Sequence, residues 1–185
     1  MKSYRAMKEY FDRQERVARE AEKLSRAVVR ACSKGIMRLH AGKGAGTLLL
    51  QAKRILQKLE GICENPQSLV VAQQEFGEFF VLNSILNQNR IPEPEEVGIP
   101  YYPYLMGLAE VGGELRRAML DSLRKGELEK AERLLQHMER VFEFLCRFDH
   151  PESILPGLRR KRDIYRRILE QSRGDFILAG RGRNV

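Results

Sequence analysis

Residues 3 to 41 constrain the fold more than any other stretch, because apolar side chains recur there every three to four positions with no proline to interrupt them. Phe11, Val17, Ala21, Leu24, Val28, Cys32, Ile36 and Leu39 fall on one side of a helical projection. That period belongs to an α-helix and not to a strand, whose side chains alternate every second residue. The run breaks at His40-Ala-Gly-Lys-Gly-Ala-Gly. On the other side Arg13, Arg16, Arg19, Lys23, Arg26, Arg30, Lys34 and Arg38 form a basic stripe under half the circumference wide, extending for ~40 Å at the helical rise. Glu15, Glu20 and Glu22 lie beside it, so two readings stay open: a solvated face neutralised along its own helix, or a track for phosphates.

The rest of the chain is also helical in pattern. Thr47 reads as the cap of a second helix reaching about Glu60, and Asn65 with Pro66 as the start of a third that runs through Leu86, by the usual N-cap and first-turn preferences. Residues 90 to 103 hold four of the seven prolines, Pro92, Pro94, Pro100 and Pro103. Each removes a backbone donor and disfavours helix in its predecessor, so a crossover linker is expected. A fourth helix is expected from Tyr104 to Lys125, closed by Gly126, and a fifth from Glu127 to Arg147, stopped by His150-Pro151. After Pro156-Gly157 a sixth carries Arg159, Arg160, Lys161, Arg162, Arg166 and Arg167, followed by a basic tail at 173–185. With no competing strand pattern, the expected fold class is all-α: a bundle of six to seven helices forming one domain over residues 1–185, a size that one core can serve.

Charge narrows the partners. Thirty-three Lys and Arg against 25 acidic residues leave +8, a balance that draws polyanions and makes nucleic acid the first partner to consider. No stretch approaches the ~20 apolar residues of a membrane span, and the first residues lack the apolar run of a signal peptide. A soluble, cytoplasmic protein with no membrane contact is the expectation. Cys32, Cys63 and Cys146 are odd in number and lack Cys/His spacing, which points to neither a disulfide framework nor a zinc site.

The most informative pattern is acidic residues in otherwise uncharged helices. Between Glu64 and Arg90 the only charges are Glu75 and Glu78; between Glu96 and Arg116 they are Glu110 and Glu114. Spacings of i,i+3 and i,i+4 place each pair on one helix face, where like charges repel. Burying such carboxylates without a counter-charge costs several kcal/mol, so something must neutralise them. A divalent cation is one answer: hard oxygen donors from two helices suit Mg2+ or Mn2+ with positions left for a phosphate oxygen. Gly77, Gly107, Ala109, Gly112 and Gly113 around the two pairs leave room for close helix approach. An ionic network with Arg116, Arg117 or the basic first helix is the other.

Several alternatives are disfavoured. Di-iron bundles need Glu-x-x-His on two helices, and none of His40, His137 and His150 lies three residues after a Glu. Gly42-Lys43-Gly44-Ala45-Gly46-Thr47 lacks the spacing of a phosphate loop and follows a helix where that motif follows a strand. The histidines have no partnered Ser or Cys motif, which removes the case for a nucleophile triad.

Tyr104-Leu-Met-Gly-Leu-Ala-Glu-Val-Gly-Gly-Glu-Leu-Arg-Arg117 resembles the YLLGVADLTGELRR signature of the translin/Trax family. Glu22-Lys-Leu-Ser-Arg26 and Ser33-Lys-Gly-Ile-Met-Arg-Leu-His40 are similar to the first helix of Trax, and Leu158-Arg-Arg-Lys-Arg-Asp163 to the family's last helix. The resemblance therefore covers nearly the whole chain and implies an archaeal-type, Trax-like protein. It implies a helical bundle assembling into a closed homo-oligomer, a hexamer or octamer, with a nucleic-acid-binding interior that the basic faces line. It also implies a metal-dependent endoribonuclease site for single-stranded RNA, with Glu75-Phe-Gly-Glu78 matching the paired-Glu motif and Glu110 standing where Asp is more usual. The basic, His-containing motif of translin's third helix is missing, which favours the catalytic branch.

The expected chemistry is metal-assisted phosphodiester hydrolysis, with Glu75, Glu78 and Glu110 holding Mg2+ (or Mn2+) and Glu114 as a fourth ligand or a base behind it. Arg13, Arg16, Arg19, Lys23, Arg26, Arg30, Arg159, Arg160 and Arg162 are the expected contacts to the backbone of RNA, and of DNA if it binds. Two rival readings are a non-catalytic RNA- or DNA-binding scaffold of the translin kind and a helical protein-interaction adaptor.

Overall fold

In the computed structural model, which describes residues 2–62 and 66–181, every regular element is a helix. They are α1 (Lys2–His40), α2 (Gly46–Ile62), α3 (Pro66–Gln88), α4 (Pro94–Val97), α5 (Tyr101–Arg124), α6 (Leu128–Cys146) and α7 (Leu158–Arg181). None is long and apolar enough to cross a membrane. The chain divides into two compact units, Met1–Phe76 and Gly77–Val185, with the boundary inside α3.

In the first unit α1 packs on α2. Ala21, Val28, Cys32, Ile36 and Leu39 of α1 and Ala52, Leu56 and Leu59 of α2 are buried, as the three-to-four spacing requires. Ser25 donates its hydroxyl to the Ser68 carbonyl at 2.8 Å, tying α1 to the start of α3. The apolar stripe on α1 is longer than its cover within this unit. Phe11 is 64% exposed and Tyr4, Met7 and Tyr10 are also exposed, because α1 has 39 residues against 17 in α2, or ~58 Å against ~26 Å at the helical rise. Thr47 lies inside the first turn of α2, which begins one residue earlier at Gly46. Asn65 as a cap, and Cys63, fall outside the described residues.

In the second unit α5 packs on α6 and α7, and α6 on α7. Leu108, Val111, Leu115 and Met119 of α5 meet a core completed by Met138, Val141, Leu145, Leu158 and Tyr165, all at most 2% exposed. The crossover departs from expectation in two ways. Pro94 starts the short α4, where Glu93 and Glu96 form a reciprocal capping box. Pro103 lies inside the first turn of α5, three residues after the cap Pro100; its missing N–H costs nothing there, because the first turn has no intrahelical partner for it. The expected tail at 173–185 is helical through Arg181, and the remainder falls outside the described residues.

Candidate metal centre

The acidic pairs sit where α3 and α5 carry their smallest residues. A Cβ on Gly77 would lie 2.9 Å from Ile99 Cδ1 and 3.8 Å from the Pro103 carbonyl. Glycine there lets the chain entering α5 press against α3. One helical turn separates Glu75 from Glu78 on α3, and Glu110 projects from α5. Each of the three offers a carboxylate oxygen within 4.8 Å of the other two, and all three are half-buried. That spacing suits a single oxygen-ligated cation.

Glu114 is not part of this group. It lies one turn further along α5, 28% exposed, with Arg117 Nη1 4.0 Å from its Oε2. The ionic-network alternative is met in part, by Arg117 beside Glu114 and by a further residue that the expectation did not name. Lys161 of α7 donates its ammonium to Glu110 Oε1. Arg116 turns away from Glu110 to Ser172 Oγ at 3.1 Å and Asp175 Oδ2 at 2.7 Å. A signal for Lys161 was present: it lies three residues after Leu158 and four before Tyr165, on the inward stripe of α7.

The approach of α7 to α5 depends on Gly112. A Cβ there would meet the Tyr165 ring at 2.5 Å from Cε2 and 2.8 Å from Cδ2 and Cζ, whereas one on Gly113 would meet nothing within 4 Å. Of the two glycines expected to permit close packing at this point, Gly112 is the one in contact with α7. Burial raises the Tyr165 phenol well above its usual range.

The basic residues separate by position. Arg13, Arg16, Arg19, Lys23, Arg26 and Arg30 are all exposed on α1. Arg19 and Arg26 pair with Glu15 and Glu22, and Lys23 lies 3.5 Å from Glu20. On α7, Arg159 and Arg160 are exposed and line an open cavity with Glu152, Asp163, Ile164 and Arg167. Arg162 differs from them: only 15% exposed, it reaches the Phe148 carbonyl at 3.4 Å and Asp149 at 3.7 Å, which anchors the segment after α6.

An all-helical protein with three carboxylates converging from two helices and a basic last helix defines a narrow class. No protein-family model matches the sequence. The chain is 35% identical over 175 residues to the uncharacterized protein MJ0175 of Methanocaldococcus jannaschii, covering 91% of this chain and 78% of that one. Among solved structures it is similar to AfC3PO in complex with duplex RNA, at TM-score 0.88 and 28% identity over 98% of both chains. AfC3PO solved by itself gives the same score and identity over the full length of both chains. Apo-NeC3PO matches at TM-score 0.87 and 22% identity, covering 97% of this chain and 98% of that one, a likeness of fold. The chain belongs to the translin/Trax family.

Proposed function

We propose that this protein is a metal-dependent endoribonuclease that hydrolyses phosphodiester bonds inside a basic chamber formed by copies of the same chain. The observation that carries the reading is the meeting of Glu75, Glu78 and Glu110 within 4.8 Å. Three hard, half-exposed oxygen donors fit Mg2+ or Mn2+, which retain open positions for water and phosphate. When bound, the ion supplies Lewis-acid activation of the attacking water and offsets the charge growing on phosphate. Glu75, Glu78 and Glu110 would hold it, and Glu114, outside the trio, would serve behind them as a base. Exposed Arg159 and Arg160, with the α1 stripe, track the RNA backbone and make binding weaken as salt rises. A similar fold has been solved with duplex RNA, so duplexes join single strands as candidate substrates.

The test is cleavage of labelled single-stranded and duplex RNA in Mg2+, in Mn2+ and in EDTA, by the native protein and Glu78→Gln. The native protein should cut in metal alone, and Glu78→Gln should lose activity by about two orders of magnitude, as expected when an electrostatic group acting in the transition state is removed. Tight binding with no cut under either metal would replace this reading with the non-catalytic scaffold. Solution mass on the same sample decides between hexamer and octamer.

A further inference from the structure

Lys161 stands apart from the arginines around it. Its neighbours on the inward stripe of α7, Leu158, Tyr165, Leu169 and Ser172, are at most 2% exposed. Its own side chain is 22% exposed and that of its partner Glu110 is 32% exposed. Among the described residues, Arg116 is engaged with Ser172 and Asp175 and Arg162 with Phe148 and Asp149. Lys161 places a point charge at the edge of the carboxylate trio, on a carboxylate that the trio needs.

The electrostatics set up a competition. Three carboxylates within 4.8 Å repel one another, and one ammonium on Glu110 relieves part of that repulsion. A divalent cation brings twice the charge to the same oxygens and competes with the ammonium for Glu110. Lysine suits such an exchange, since its compact charge rides on a flexible four-carbon stem and also binds phosphate as a point charge. We propose that Lys161 is a built-in counter-cation of this cluster, acting on Glu110. It holds Glu110 in the metal-free protein, yields that carboxylate to the divalent ion, and then donates a hydrogen bond to a non-bridging oxygen of the RNA phosphate. The inference rests on the nuclease reading and adds to it a residue and an order of events.

Two measurements test it without relying on turnover. In calorimetric titration with Mn2+, Lys161→Met should bind the ion about tenfold more tightly than the native protein, because a competing cation has been removed, while Lys161→Arg should bind it more weakly than native, because a forked guanidinium holds a carboxylate through two bonds. In the native protein, acetylation of Lys161 followed by mass spectrometry should be slow without metal, rise at saturating Mn2+, and fall again when a phosphorothioate RNA is added. Native protein that binds Mn2+ beside a Lys161→Met variant of equal affinity overturns the exchange alone, as does an acetylation rate that saturating Mn2+ leaves unchanged. Absence of any Mn2+ binding by the native protein sinks the nuclease reading and the exchange together.

Discussion

Replacing Gly112 by alanine tests whether the α5–α7 crossing is as tight as its geometry indicates. The added methyl would sit 2.5 Å from Tyr165 Cε2 and 2.8 Å from Cδ2 and Cζ, against the ~3.5–4.0 Å that carbon atoms prefer. The ring must retreat by about 1 Å, and at 0% exposure it has no free space to enter. Overpacking of this kind costs roughly 1–3 kcal/mol, while exchanging glycine for alanine in a helix returns up to about 1 kcal/mol. Gly113→Ala, with nothing within 4 Å, keeps only the gain. The two variants should therefore differ by about 2 kcal/mol, or roughly 4–8 °C in melting temperature for a chain of this size. Urea and thermal denaturation of both, followed by helical circular dichroism, measure the difference. The double variant Gly112→Ala/Tyr165→Leu should show a favourable coupling, because the smaller side chain vacates the clash. Should Gly112→Ala prove as stable as Gly113→Ala, the close approach of α7 would be refuted.

The Tyr165 hydroxyl is buried without a hydrogen-bond partner among the described residues, so Tyr165→Phe should raise the urea midpoint, by about 1 kcal/mol or more in stability, since an unsatisfied buried hydroxyl is a net cost. His137, 4% exposed, shares a 2.8 Å hydrogen bond with Asn89 Oδ1. Burial and then Arg140 hold its pKa below 6.5, so the folded form takes up fewer protons than the unfolded chain, and stability should fall as pH drops below about 6.5 while staying flat above it. His137→Gln should flatten that slope between pH 7.5 and 5.5. In fluorescence anisotropy with labelled RNA, Arg159→Ala and Arg160→Ala should each reduce the salt slope by about one. Arg162→Ala, whose guanidinium is held by Phe148 and Asp149, should leave that slope unchanged and lower stability.

The helices were legible because each buried side chain recurs at the helical period, as in Ala21, Val28 and Cys32 of α1 or Leu134, Met138, Val141 and Leu145 of α6. Where the physics was local the boundaries also came out close: α3 ends at Gln88 against an expected Leu86, and α5 at Arg124 against Lys125. The proline-rich segment was misjudged because proline forbids helix only where its N–H would be used, and in the first turn of α5 it is not. The three glutamates that meet were readable as isolated charges in neutral helices, since isolation of charge is visible without coordinates. Glu114 and Arg162 were harder, because whether a charged residue turns toward a cluster, toward solvent or toward a carbonyl is decided by the rotation of the helix against its neighbour.

That rotation is set by the crossing of α5 with α7. Going up α5, Glu110 meets Lys161, Gly112 meets Tyr165, and Arg116 meets Ser172 and Asp175. Both sequences of partners ascend together, so the helices run in the same direction. Adjacent residues of a helix point ~100° apart. A shift of one position along α7 would carry Lys161 off Glu110 and present Arg160 or Arg162 to it instead, whose forked guanidinium binds a carboxylate through two bonds. Such a clamp would compete far more strongly for Glu110 than a single ammonium does. The glycine that admits the Tyr165 ring thus fixes which cation of a four-residue basic run faces the carboxylates, and leaves Arg159 and Arg160 facing outward.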